Sequence, residues 1–175
     1  MTNKTRHLTS LLTLVLFVVL FPSAVRDQTL HSTHQNQDYA LDLPSAGWRA
    51  ITVAGVVKDS TEFRYGGQSS VRMRVRRELV DAGVLPSDLV RRQQSSDRVN
   101  LRGYVKGKSE NFEGQLNGVK YPYGFISAGK SKARLTYYLQ ADPRTVYRLE
   151  FSGPPKELLG IEDQIDLIAR SFRVR

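Results

Sequence analysis

Residues 133–172 read ARLTYYLQADPRTVYRLEFSGPPKELLGIEDQIDLIARSF and contain the clearest structural pattern in the chain. Apolar and polar residues alternate at the start of this segment, which is the period of a strand with one buried face. Asp142 and Pro143 predict a turn, because proline presets the backbone and aspartate accepts hydrogen bonds from nearby N–H groups. A second alternating run ends at Gly153, since the two prolines that follow cannot donate to a sheet. These residues therefore predict an antiparallel hairpin.

The apolar period changes after the prolines. Five apolar residues recur at spacings of three and four, along one stripe of a helix: Leu158, Ile161, Ile165, Ile168 and Phe172. A hairpin and an amphipathic helix bury both of their apolar faces when the helix packs on the sheet. The segment therefore predicts an antiparallel sheet with a C-terminal helix packed on it.

The preceding residues add strands to this hairpin. Alternating patterns predict strands at 39–43, 48–53, 62–65, 69–79, 104–108, 110–116 and 119–128. Asn117-Gly118, between the last two, is typical of a tight hairpin turn. A helix is predicted to begin near Ser87. The sequence thus predicts one α+β domain over residues 38–175, with a mainly antiparallel sheet of about six or seven strands.

Residues 1–24 are typical of a secretory signal. Lys4 and Arg6 precede an uncharged apolar segment, 8–21. As a helix this segment would span about 21 Å, short of the roughly 30 Å hydrocarbon core. We expect cleavage near Ala24 and a periplasmic or extracellular domain.

An uncleaved N-terminal segment would have a different consequence, because residues 8–25 would then form a short anchor that attaches the domain to a membrane. The polar, aperiodic residues 25–37 predict a flexible linker between this segment and the domain.

Missing residue types limit the chemistry. The chain has no cysteine, and its histidines are His7, His31 and His34. A disulfide, a thiol nucleophile and a lipoprotein cysteine are therefore excluded, as is a Ser-His-Asp triad within the domain. His31 and His34 are a weak metal pair, because zinc requires about four ligands. We predict no metal and no cofactor.

Basic and aromatic residues predict a binding surface. The formal net charge is +9, which favours anionic partners. Arginines alternate with apolar residues at 71–76, which places them on one strand face, and Arg64 could extend that face from a neighbouring strand. The same arginines could also be a solvated face that discourages pairing with other strand edges. The strand around Pro122 is a second candidate, because proline favours a sheet edge. The candidate residues are Arg72, Arg74, Arg76, Lys120, Tyr121 and Tyr123.

Two groups of carboxylates leave an enzyme open as the alternative. Glu110 with Glu113, and Glu162 with Asp163 and Asp166, could act as the acid and base of a hydrolase acting on an envelope polymer. Acidic residues at the start of the last helix are also explained by the helix dipole.

Several short motifs resemble the PsbP-like superfamily, and its exported bacterial DcrB-type members in particular. They are the strand YALDLP at 39–44, the pair Gly47-Trp48, the strand VYRLEF at 146–151 and the helix end ARSFR at 169–173. The C-terminal pattern is also similar to an accessory domain that follows some exported zinc metallopeptidases. The PsbP-like resemblance implies an α/β/α sandwich with an antiparallel sheet, and a role as a binding or assembly factor.

The leading hypothesis from the sequence is therefore an exported, non-enzymatic binding or assembly module of the cell envelope. Its expected partner is an envelope protein or an anionic envelope component. Export makes nucleic acid an unexpected partner.

Overall fold

The computed structural model describes residues 32–44, 47–51, 60–67 and 70–175. In chain order, the described elements are β1 (Ser32–Gln35), β2 (Tyr39–Leu43), β3 (Trp48–Ile51), β4 (Ser60–Tyr65), β5 (Arg72–Leu79), α1 (Pro86–Asn100), β6 (Val105–Lys106), β7 (Glu110–Phe112), β8 (Gly118–Ser127), β9 (Lys130–Asp142), β10 (Thr145–Gly153), α2 (Pro155–Leu159), α3 (Glu162–Ser171) and β11 (Arg173–Val174). The fold class is α+β, as the sequence predicts.

The larger of the two sheets is antiparallel throughout. Within the described residues it has eight strands, in the order β3-β4-β5-β10-β9-β8-β6, with β7 also paired to β8. The predicted hairpin is β9 and β10, near the centre of this sheet. Its turn is fixed as expected, because the backbone N–H of Arg144 donates to Asp142 Oδ1 at 2.8 Å.

One face of the larger sheet carries the main core. It packs against α2, α3 and a smaller sheet with the order β1-β2-β11. Ile165 and Ile168 of the α3 stripe are fully buried. Large side chains meet them from the sheet: Trp48, Phe63, Met73, Tyr137, Leu149 and Phe151. Burial of each such side chain stabilises the fold by about 1.5–3 kcal/mol, so this layer contributes most of the apolar stabilisation.

The opposite face is covered only in part. Val90 of α1 packs there against Tyr121, Tyr123, Tyr138 and Val146, which come from β8, β9 and β10. On β4 and β5, the same face carries the buried Glu62 and arginines that are partly or largely exposed to solvent. Helices therefore lie on both sides of the sheet, and the α/β/α sandwich is confirmed.

The structure differs from the sequence prediction at both ends of the domain. The last helix is predicted as one element, but it is divided into α2 and α3 at Gly160. Residues 25–37 are predicted as a linker, but Ser32–Gln35 form β1 and pair with β2. His34 fits this strand because its ring packs edge-on to Phe63 at 4.8 Å between centroids. A polar strand can pair through its backbone without showing an apolar period, which is why the pattern misses it.

The predicted export segment lies outside the described residues, and so does His31. Among the residues that the structure does describe, no helix is long and apolar enough to cross a membrane.

Candidate functional site

The two tyrosines predicted as binding residues are buried in the domain. Tyr121 is fully buried and Tyr123 is 4% exposed, and their rings stack at 4.9 Å beneath α1. The Tyr121 hydroxyl bonds to that of Tyr104, and Arg134 Nη1 donates to the Tyr123 hydroxyl at 2.9 Å. Burial is the main cause that raises the pKa of both Tyr121 and Tyr123. They belong to the core, so the prediction of an exposed tyrosine surface is wrong.

Lys120 lies on the other face of the sheet from these tyrosines, because neighbours along a strand point in opposite directions. Its Nζ donates to Glu162 and Asp166 of α3 at 2.9 Å each, and the Tyr137 hydroxyl also donates to Asp166. Burial alone would lower the pKa of Lys120, but the hydrogen bonds and charges of the two carboxylates raise it. This cluster attaches α3 to β8 and leaves Lys120 engaged within the domain.

The Lys120 cluster gives a stability prediction. Lys120→Met removes the ammonium group and leaves two carboxylates without their shared donor. We expect the free energy of unfolding to fall by about 1–3 kcal/mol. Urea unfolding followed by fluorescence of the single tryptophan, the buried Trp48, measures this change. Lys108→Met is the matched control, because Lys108 is 87% exposed and, among the described residues, has an ion pair only with Glu110, at 3.8 Å. An equal loss of stability in both variants would contradict a stabilising role for the Lys120 cluster.

The remaining candidate carboxylates do not converge. Glu113 and Asp163 are exposed, and Glu110 faces Lys108. Only Glu162 and Asp166 meet, and they do so at Lys120. Over residues 32–44, 47–51, 60–67 and 70–175, no group of three or more metal-ligating side chains is present.

Arg72, Arg74 and Arg76 of β5 share one sheet face, as the alternation predicts. Two of the three are ion-paired, since Arg72 Nη1 and Arg74 Nη2 lie 3.0 and 3.2 Å from the carboxylate of the buried Glu62. Burial and the neighbouring charges of Arg148 and Arg74 lower the pKa of Arg76. This face therefore carries many charges, and carboxylates form ion pairs with some of its arginines.

An apolar groove, which the sequence analysis does not identify, lies on the Lys120 face of the sheet. It is open and has a volume of about 480 Å³. Its floor is made by small or short side chains where β8 pairs with β9, and α2 forms one wall: Pro122, Gly124, Ala133, Leu135, Leu158 and Leu159. Val105 of β6 is 67% exposed and Leu159 is 71% exposed on opposite sides. The groove combines residues from distant parts of the chain, so no local pattern predicts it.

Comparisons with known proteins agree with this architecture. Neither a protein-family model nor a curated protein matches the sequence. The solved structure of cyanobacterial PsbP from Synechocystis sp. matches with a TM-score of 0.63 at 14% identity, over 89% of this chain and 99% of that chain. The chain has the PsbP-like fold.

Two further solved structures share the PsbP-like fold with this chain. The Saccharomyces cerevisiae Ran-binding protein Mog1p matches with a TM-score of 0.62 at 10% identity, over 83% of this chain and 96% of that one. A Pseudomonas aeruginosa protein of unknown function matches with a TM-score of 0.55 at 13% identity, over 83% and 97%. At these identities the PsbP-like likeness shows the fold alone, and the DcrB-type relationship stays a prediction.

Proposed function

We propose that this protein is an exported, non-enzymatic binding module of the cell envelope, and that its groove receives an apolar segment of a partner protein. One observation carries the proposal. Side chains as small as Gly124 and Ala133 form the floor of the groove, and leucines of α2 stand beside it. Exposed apolar surface of this kind, beside a concave floor, is typical of a recognition site.

The lysines beside the groove do not point into it. Lys106 is opposite Tyr123 and Lys132 is opposite Phe125, so both lysine side chains point to the other face of the sheet, where α1 packs. The Glu162 carboxylate at the groove is paired with Lys120. The floor of the groove is therefore apolar, which favours an apolar partner segment.

The proposal extends to location and to the absence of catalysis. Export rests on the charged and apolar halves of residues 1–24. The hydrolase alternative is now confined to Glu162 and Asp166, and both carboxylates are held by Lys120. A binding role uses the groove without requiring these acids to leave that interaction.

Site-specific photocrosslinking in the native envelope tests the groove. A photoreactive residue replaces Ser131, which lines the groove and is exposed, in the full-length chain. We expect one major crosslinked protein whose attached peptide is apolar. Gly124→Leu should abolish the product, because the new side chain fills the floor. A Cβ at Gly124 has room, since its nearest neighbours lie 3.7 and 3.9 Å away.

A matched pair of leucines provides the control. Leu159→Ser removes an apolar wall of the groove and should reduce the product about tenfold, since burying a leucine contributes about 1.5–3 kcal/mol. Leu167→Ser makes the same change at an exposed position of the neighbouring helix that does not line the groove, and should leave the product unchanged. A product that survives Gly124→Leu, or a product with lipid in place of protein, would contradict the proposal.

A further inference from the structure

Three arginines lie side by side on the open face of the larger sheet. Arg49 of β3 is directly opposite Arg64 of β4, which is directly opposite Arg72 of β5. Opposite residues on neighbouring strands point to the same face with Cβ atoms about 4.5–5.5 Å apart. The three exposed guanidinium groups therefore form one row across three strands. The strands β3 and β4 are short, with four and six residues. The sequence analysis does not identify Arg49 as a binding residue.

This arrangement is unfavourable for the fold by itself, because like charges directly opposite each other destabilise a sheet. Within the described residues, Arg72 has an ion pair with Glu62, whereas no ion pair is present for Arg49 or Arg64. The carboxylate of Glu62 is shared with Arg74 on the far side from the row. The row thus keeps at least two guanidinium groups available to an external anion.

The positive charge also extends along the strands. Arg74 and Arg76 follow Arg72 on the same face of β5, and Arg148 of β10 is opposite Arg76. Three carboxylates lie among these arginines: Glu62, Glu78 and Glu150. Basic residues are therefore spread in two dimensions over an open surface. This distribution matches a planar array of anionic groups better than a single linear chain.

We propose that this arginine face binds the phosphate groups of anionic phospholipids at a membrane surface, with Arg49, Arg64 and Arg72 as its contact row. Guanidinium groups donate paired hydrogen bonds to phosphate oxygens, and neighbouring guanidinium groups can share one phosphate. Each basic residue near an anionic leaflet also gains from the surface potential. The arginine face is on the opposite side of the sheet from the groove, so a partner protein and a membrane could be bound together.

Vesicle co-sedimentation of the full-length chain tests this inference. Vesicles of phosphatidylcholine alone measure any binding through the N-terminal apolar segment. Vesicles that also contain phosphatidylglycerol measure the additional binding that the anionic lipid causes, which is the anionic increment. We expect the double variant Arg49→Gln, Arg64→Gln to weaken binding to the anionic vesicles by about 30-fold. Binding to neutral vesicles should stay unchanged. The same variant should melt about 1–4 °C higher, because it removes repulsion within the row.

A second double variant separates the effect of the arginine row from the effect of net charge. Arg98→Gln, Arg102→Gln removes the same charge from exposed positions near the end of α1 and should change anionic binding less than threefold. Equal losses in the two double variants would overturn the proposal, as would an unchanged increment in the row variant. Soluble polyphosphate identifies the source of the phosphate: row-dependent binding of polyphosphate without row-dependent vesicle binding would also overturn it.

Discussion

Raising the pH to between about 11 and 12 should unfold this protein cooperatively. Burial is the largest cause that raises the pKa of six tyrosines above the ordinary value of 10: Tyr39, Tyr121, Tyr123, Tyr137, Tyr138 and Tyr147. For Tyr138 the pKa is about 12. Their stabilisation is fully present below pH 10 and is lost as the pH rises, because only the unfolded chain releases these protons easily. Each such tyrosine costs about 1.4 kcal/mol of stability per pH unit, so several of them exceed a typical total of 5–15 kcal/mol.

Tyrosinate absorbance and circular dichroism, measured together during an alkaline titration, check this expectation. We expect most of the absorbance change to coincide with the loss of secondary structure. Lys120 acts in the same direction, because its raised pKa means that its stabilisation is also lost at high pH. The idea fails if six or more tyrosines ionise gradually near pH 10 while the circular dichroism stays native.

Gly118→Ala should destabilise the domain by about 3 kcal/mol, at the upper end of the usual effect of overpacking. A Cβ at Gly118 would lie 1.9 Å from the carbonyl oxygen of Tyr138 and 2.9 Å from its carbonyl carbon. Both atoms are backbone in the neighbouring strand β9, so no side-chain rotation can relieve the clash. The strands β8 and β9 would have to separate locally where they pair.

Gly124→Ala is the matched control in the same strand. Its Cβ meets the carbonyl oxygen of Lys132 at 3.7 Å and Val105 at 3.9 Å, which are ordinary contacts. We expect a change within about 0.5 kcal/mol, since an alanine in a strand also lowers the entropy of the unfolded chain. Urea unfolding monitored by Trp48 fluorescence compares the two variants, and similar stabilities would contradict the role given to Gly118.

The sequence predicts the elements of the large sheet well because their signal is local. Alternation over β9 and β10 is strong, and Asp142 forms the predicted turn contact. Asn117-Gly118 predicts the hairpin of β7 and β8, but the glycine is the first residue of β8 and is needed for close approach to β9. The period of two cannot distinguish a turn glycine from one that a neighbouring strand approaches closely.

The candidate site is less predictable, because it depends on which face of the sheet a side chain occupies and what covers that face. Alternation alone places Lys120 on the other face of the sheet from Tyr121 and Tyr123. The sequence analysis nevertheless groups the three as one candidate surface, because they are neighbours along the chain. Which residues α1 buries is a tertiary fact that the composition of β8 does not contain. The arginines of β5 were found because the strand is long, whereas Arg49 lies in a strand of four residues.

The pairing of β2 with β11 has a consequence for the timing of folding. Arg173 pairs with Ala40 and Val174 with Tyr39, and Arg173 also forms an ion pair with Asp42 at 3.3 Å. The small sheet therefore cannot be completed until residues 173–174 have been synthesised. Contacts between such distant parts of a chain form slowly. Docking of β11 onto β2 is therefore expected to be a late step of folding, after the larger sheet has formed.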